Sequence, residues 1–403
     1  VAERRRLLLV AEAVTLAHLA RPLALIGDEL REQWDVTLAS DPRYERFVTV
    51  PSLRFVPLAS VEPSVFLSAL RHGKPLYDTA TLENYVKGDL DVLSQVEPDV
   101  VVGDFRLSLS VSARLAGVTY GTIASAYWSP YYRVDRWPVP QIPMTRVMPI
   151  PVAAALFRRA RSIAFALHAR PLNRVREKCG LPSLGRDLRR VYTDADFVVY
   201  TDLPELFPIQ QAPASHRFIG PALWEPDLEL PPWWDEVGKA RPVVYVTLGS
   251  SGPSELLPAL LKALAAMDVD VIVATAGAAL TMHALKNVHA TDYLPGVEAA
   301  KRARLVVCNG GSLTSYQALA GGVPVLGIAS NLDQFLNMKA VENAGAGLTL
   351  RADRASPRLF HGAAARLLGE QSFAAAASKL ALTITRYRAS SLFSDAIARF
   401  VGA

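Results

Sequence analysis

Short uninterrupted apolar runs, each followed by a stretch of helical periodicity, recur in two series separated by a segment dense in Pro, Trp and acid. The first series has runs at residues 7–10, 36–39, 100–103, 119–124 and 197–200, with 54–56 as a further candidate. The second has runs at 243–248, 269–274, 305–308 and 323–327. Runs that are apolar on both faces are what parallel strands covered by helices require. Between them, Leu23, Ile26 and Leu30 recur at helical spacing within 20–32, and 84–96, 108–115, 152–178, 255–266 and 315–320 also read as helices. Strand alternating with helix predicts an α/β fold with doubly wound parallel sheets. A chain of 403 residues has room for two such halves. The predicted division is a first domain over 1–217, a linker over 218–240, a second domain over 241–380, and a C-terminal helix over 381–403 that folds back on the first domain. Ligands of such sheets bind beyond the carboxyl ends of the strands, so a central cleft between the halves is the expected site.

Several classes of function are disfavoured. The net charge is only +5, and Lys and Arg are scattered without interleaved aromatics, so no nucleic-acid partner is expected. The two cysteines, Cys179 and Cys308, are far apart and in no metal-ligand pattern. Buried free thiols in a cytoplasmic protein are the reading they suggest. The basic start before 7–10 superficially resembles a secretory leader. That run is short and soon followed by Glu12, so a buried first strand is expected instead. No stretch approaches the ~18 apolar residues of a membrane-spanning helix. The basic, apolar stretch from Arg146 to Arg170 either packs on its own sheet or rests on a membrane surface.

The densest chemistry lies at Cys308-Asn309-Gly310-Gly311-Ser312-Leu313-Thr314-Ser315-Tyr316-Gln317-Ala318-Leu319-Ala320-Gly321-Gly322-Val323-Pro324, with Asn331-Leu332-Asp333-Gln334 shortly after. A strand ending at Cys308 meets two glycines, which permit a tight turn and close approach of backbone to ligand. Ser312 and Thr314 then offer hydroxyl and N–H groups where a helix starts, which suits a diphosphate. A Gly-Gly-Ser turn alone also serves as plain structure.

The whole span resembles the donor-binding signature of the family 1 glycosyltransferases of GT-B fold, the nucleotide-sugar-dependent class that includes macrolide and plant natural-product transferases. The family pattern is His-Gly-Gly-x-Gly-Thr-x-x-Glu-Ala-Leu-x-x-Gly-Val-Pro, then Asp-Gln. Gly310, Gly311, Thr314, Ala318, Leu319, Gly322, Val323, Pro324, Asp333 and Gln334 match it. With the two-half layout, the resemblance covers essentially the whole chain and implies two Rossmann-like domains facing a cleft. It also implies roles. Gly311, Ser312 and Thr314 hold the diphosphate, Gln317 lies at the ribose position, and Asp333 and Gln334 bind sugar hydroxyls. Ser250, Ser251 and Gly252 correspond to a second phosphate-side loop, and Tyr293 and Leu294 to the segment that receives the base. Two departures stand out: Asn309 replaces the usual His, and Gln317 the usual Glu. An amide grips two ribose hydroxyls less strongly than a carboxylate does. Both dTDP- and UDP-sugars remain candidate donors, with dTDP favoured because a deoxyribose offers one such hydroxyl.

In the first half, Ala17-His18-Leu19-Ala20-Arg21-Pro22 resembles the family's Gly-His-Val-x-Pro loop, with Ala17 for Gly and Pro22 one place late. By resemblance His18 is the general base and Asp104, closing the strand at 100–103, its acidic partner. On the residues alone, His18 could be structural and Asp104 a helix cap. The other histidines, His72, His168, His216, His283, His289 and His361, have no comparable context. Tyr127, Trp128, Tyr131, Tyr132, Trp137 and Met144 form an aromatic, irregular segment that lines an apolar acceptor site or fills the core.

The implied reaction is a single inverting displacement on a hexosyl or deoxyhexosyl donor, without a metal ion or other cofactor. The acceptor is a small, largely apolar molecule of phenolic, polyketide or flavonoid-like type. No Asp-x-Asp motif closes a strand; Asp194-Ala195-Asp196 precedes one. Three alternatives are a lipid glycosyltransferase at the membrane surface, an inactive nucleotide-sugar-binding relative and a non-transferring epimerase. A monomer or homodimer is expected, with weak peripheral membrane contact as a further possibility.

Overall fold

The computed structural model describes residues 4–280 and 285–402; His283 lies outside them. The chain forms two units. The first takes residues up to Trp137, then Pro151–Ala222, then the chain from Tyr387; the second takes Pro138–Ile150 and Leu223–Arg386.

The first unit holds β1 (Arg5–Ala11), β2 (Trp34–Ser40), β3 (Arg54–Pro57), β4 (Val100–Asp104), β5 (Thr119–Ala124), β6 (Phe197–Tyr200) and β7 (His216–Phe218). They pair in the order β3-β2-β1-β4-β5-β6-β7, all parallel. Leu7, Leu8 and Leu9 are all fully buried, so both faces of β1 are covered. On one face Leu8, Val10 and Val101 pack with Val92, Leu93 and Val96 of the helix Thr79–Val96. The order reverses at β1 and β4, and the ends of these two strands carry His18 and Asp104 nearby.

The second unit holds β8 (Val243–Thr247), β9 (Asp270–Ala274), β10 (Val288–Thr291), β11 (Leu305–Cys308), β12 (Val325–Ala329) and β13 (Gly347–Arg351). Their order is β10-β9-β8-β11-β12-β13, again all parallel. Val244, Val246, Val271, Val273 and Val307 pack under Leu260, Leu264 and Phe360.

The structure differs from the sequence-based boundaries in four places. The segment expected as a linker over 218–240 is divided, its residues to Ala222 going with the first unit and those from Leu223 with the second. Pro138–Ile150 goes with the second unit rather than the first. There Gln141 N donates to Ser330 O (2.7 Å), Arg351 Nη1 to Val139 O (2.6 Å) and Thr145 Oγ1 to Asp353 Oδ2 (2.8 Å). The second unit runs to Arg386 rather than 380, and the helix Ala389–Val401 lies in the first unit. That helix is tied by Ser390 Oγ to Leu25 O (3.1 Å) and by Phe400 stacked on Phe197 (5.0 Å). Finally, the helix expected over 20–32 begins earlier and splits into Leu16–Leu25 and Asp28–Gln33. Extended Thr15 starts the first, and Gly27, also extended, starts the second.

Candidate functional site

His18 therefore sits in the first turn of a helix, not in a loop. Arg21 follows one turn later on the same face, at the place where the family pattern has Pro. The helix lies beside β4, whose last residue is Asp104, wholly buried. Asp104 Oδ1 is 2.8 Å from His18 Nδ1 and accepts from Arg21 Nη2 at 2.6 Å. Arg21 Nη2 is also 2.9 Å from His18 Nδ1. A carboxylate can only accept, so the 2.8 Å contact with Oδ1 is a hydrogen bond in the tautomer whose Nδ1 is protonated, with Arg21 Nη2 donating to Oδ1 beside it. In that tautomer the lone pair is left on Nε2. Asp104 is thus no helix cap; the next helix, Leu109–Ala116, has Ser108 at its N-cap.

Phe105 follows at φ 60°, a left-handed conformation rare for a bulky residue. It stacks its ring on His18, with centroids 4.6 Å apart and planes 10° apart. Phe66, Tyr77 and Tyr192 surround Phe105, with centroids at 6.0, 6.5 and 5.5 Å. Trp128 meets Tyr192 edge-on at 5.0 Å. The imidazole therefore lies beside an aromatic wall of which sequence reasoning singled out Trp128 alone, because its members come from separate segments of the chain.

Behind the wall is a buried charge network, also missed. Arg106 donates to Glu12 Oε2 and Asp89 Oδ1, both at 2.9 Å, and to Ala59 O at 2.8 Å. Tyr85 donates to Glu12 Oε1 at 2.7 Å, and Ser112 to Asp89 Oδ2 at 3.0 Å. Burial alone would depress the Arg106 guanidinium; Asp89 and then Glu12 outweigh it and hold it above its ordinary value. Glu12 N also bonds Asp104 O (3.1 Å), so the network braces the strand ends that carry the His18 contact. The available signal was Asp89, a charge on the apolar stripe of Leu82, Tyr85, Val86, Val92, Leu93 and Val96.

The acceptor candidates separate. Tyr127 is 1% exposed and packs on Phe207, so it fills the core and offers a ligand no surface. Tyr131, Tyr132 and Trp137 line an open recess of about 460 Å³ with Arg161 and Arg189. Arg161 lies over the Trp137 ring at 4.7 Å. Trp128 belongs to the wall near Tyr192. Met144 lies in the helix Pro143–Val147 and thus in the second unit.

In the second unit, the turn after β11 is set by Gly310 at φ 81°. A Cβ there would also meet Met338 Cγ at 2.7 Å. Gly311 N-caps the helix Ser312–Ala320, leaving Ser312 and Thr314 half-buried in its first turn. Asn309 accepts from Gly311 N (2.9 Å) and donates to Ser251 Oγ (3.2 Å), so it joins the two loops expected at the phosphates. Ser250 and Gly252 flank Ser251 after β8. Asn337 braces the turn, donating to Gly310 O (2.9 Å) and Ser315 Oγ (3.1 Å); sequence reasoning gave it no such role. Burial pushes the Cys308 thiol up to about 11.

Two donor candidates are engaged internally. Gln317 is 5% exposed, and its Nε2 donates to Trp224 O at 2.6 Å. Its amide also lies against Gly296, where a Cβ would come within 2.7 Å. Gln334 is 2% exposed, and its Oε1 accepts from Ser330 N (2.8 Å) and Asn331 N (3.3 Å) in a capping box. Both side chains are tied to backbone rather than held open. Asp333, in the first turn of the helix Leu332–Asn343, is half-buried. Tyr293 is half-buried and Leu294 buried, both just after β10. Among the described residues no group of three His, Cys, Asp or Glu side chains is placed to hold a metal ion.

Residues 258–386 match the family described as erythromycin biosynthesis protein CIII-like, C-terminal domain. A Mycobacterium bovis protein described as PGL/p-HBAD biosynthesis rhamnosyltransferase is 47% identical over 387 residues, covering 96% of this chain and 86% of that one. A Mycobacterium tuberculosis PGL/p-HBAD biosynthesis glycosyltransferase is 46% identical over 381 residues, covering 94% and 89%. A Mycobacterium bovis relative described as inactive is 46% identical over 264 residues, covering 66% and 72%. Among solved structures, the spinosyn forosaminyltransferase SpnP superposes with TM-score 0.70 at 20% identity, covering all of both chains. The spinosyn rhamnosyltransferase SpnG complexed with thymidine diphosphate gives 0.68 at 20% identity, covering 96% and 98%. Near-complete coverage at such identity to named glycosyltransferases shows that this chain belongs to the GT-B natural-product glycosyltransferases of family 1 and is a glycosyltransferase.

Proposed function

We propose that this enzyme transfers a hexose or deoxyhexose from a dTDP-sugar to the hydroxyl of a phenolic, largely apolar acceptor, with inversion at the anomeric carbon. The observation that carries the reading is the 2.8 Å contact between His18 Nδ1 and Asp104 Oδ1. It supports a base with Nε2 free to take the acceptor proton. The acceptor oxygen attacks the anomeric carbon, the bond to the diphosphate breaks, and the proton ends on His18. Asp104 orients the imidazole and stabilises its charged form. Arg21 compensates the buried Asp104 carboxylate, and Phe105 fixes the ring plane. The leaving diphosphate is stabilised by N–H groups at Gly311, Ser312 and Thr314, with Asn309 and Ser251 alongside and no metal invoked.

The dTDP choice is supported by the neighbour complexed with thymidine diphosphate, and a deoxyhexose by the relative named as a rhamnosyltransferase. The dTDP choice is also supported by Gln317, whose amide nitrogen is already committed to Trp224 O. Tyr131, Tyr132 and the wall of Trp128, Tyr192 and Phe105 offer aromatic surface to an aryl acceptor, and Trp137 lies under Arg161 at the edge of the recess. A panel of dTDP- and UDP-sugars against phenolic acceptors, read by mass spectrometry, tests the reading. dTDP-rhamnose should give the fastest turnover. Exclusive use of UDP-sugars would overturn the donor assignment, and no transfer from any donor would favour an inactive relative.

A further inference from the structure

Along one side of the helix Ile150–Lys178, large apolar side chains face solvent. Val152, Leu156, Ile163 and Leu167 are 49%, 42%, 65% and 52% exposed. These four are among only eleven exposed large apolar side chains in the described residues, so they mark a patch and not a scatter. Their spacing places them in a sector of about 60° on a helix turning 100° per residue. Arg170 and Arg174 fall in that sector and Arg159 borders it, and all three are exposed. The opposite side buries Phe165, Ala169, Leu172 and Val175. Phe165 packs there on Trp137 (5.3 Å) and Trp128 (6.3 Å), so the unit's own core fixes the apolar stripe outward.

The charge on this helix has one sign almost throughout. From Ile150 to Arg176 there are six arginines and no Asp or Glu. Its ion pairs fall at the C-terminal end, Arg176 with Asp194 and Lys178 with Glu83. Arg158, Arg159, Arg170 and Arg174 face solvent. Apolar side chains alternating with long cationic ones on one face can enter the headgroup boundary while the guanidiniums reach lipid phosphates. A second copy of the chain meeting this face through its own would set arginine against arginine. No helix of the described residues is long and apolar enough to cross a membrane.

We propose that the outward face of the helix Ile150–Lys178 docks on an anionic bilayer surface, with the helix lying in the plane of the headgroups. Neither the arginine stripe nor the four apolar residues belong to the His18 contact or to the Gly310 turn. Docking therefore requires nothing of the proposed chemistry.

Co-sedimentation of the full chain with phosphatidylcholine vesicles, with and without phosphatidylglycerol, tests it. Binding should be at least ~10-fold tighter to the anionic vesicles and should fall away at high salt. Ile163→Glu with Leu167→Glu should weaken it at least ~10-fold, since both the apolar anchor and the charge match are lost. Arg159→Gln, Arg170→Gln and Arg174→Gln together should remove its salt dependence. Both variants should keep wild-type circular dichroism and wild-type transfer to a water-soluble acceptor. Failure of the wild type to bind anionic vesicles, equal binding to neutral ones, or unchanged binding by the variants would overturn the proposal. So would a dimer in solution that Ile163→Glu with Leu167→Glu dissolves while no vesicle binding is seen, which would assign the face to self-association.

Discussion

At Gly310 two constraints coincide, a φ of 81° and a neighbouring Met338 Cγ that a methyl group would strike. Gly310→Ala should therefore destabilise the fold by about 2–4 kcal/mol in urea denaturation, combining backbone strain with overpacking. Arg21 is constrained differently. Its guanidinium offsets the buried charge of Asp104, 2.6 Å away. Arg21→Gln should lower kcat at least ~10-fold while dTDP affinity by calorimetry stays unchanged, and Arg21→Lys should restore part of the loss. The matched motif made the glycines legible in sequence, because a turn needing φ above zero leaves few residue choices. Arg21 was visible only as a proline displaced by one place. That the displacement puts a cation against Asp104 depends on a strand eighty residues away. Gln317 and Gln334 show the converse: one departs from the motif and the other matches it, yet where each amide is spent is decided by Trp224, Ser330 and Asn331.

Among elements, the end of β4 rests on Arg106 and its two carboxylates. Arg106→Met would leave Glu12 and Asp89 buried without their cation, at a cost of about 3–5 kcal/mol. Urea midpoints for the variant and wild type measure it. The short strand β7 carries a pH dependence. His216 Nδ1 lies 2.7 Å from the Tyr200 hydroxyl on β6, and burial pushes the imidazole down to about 4. An unfolded imidazole takes up its proton near 6.5. The unfolded state thus binds more protons between these values, so this contribution is complete above about pH 6.5 and is lost as the pH falls to about 4. Unfolding midpoints should fall over that range, and fall less in His216→Gln. The long buried strands were legible because both faces are apolar. β7, β10 and β13 were not, being short, partly exposed edge or near-edge strands whose pairing the local sequence does not announce.

Over the whole molecule, the chain builds two parallel sheets, of seven and six strands. The alternation of apolar runs made both readable. The capture of Pro138–Ile150 by the second unit was not, because it rests on scattered bonds such as Arg351 to Val139 O. In the proposed reaction the first unit supplies a base and the second holds the diphosphate. The most direct test of that division compares wild type with His18→Ala in two assays, sugar transfer from dTDP-rhamnose to a phenol and calorimetric binding of dTDP. Transfer should drop by ~10²–10⁴, the usual worth of a general base, with dTDP affinity unchanged. Transfer at the wild-type rate would contradict the account.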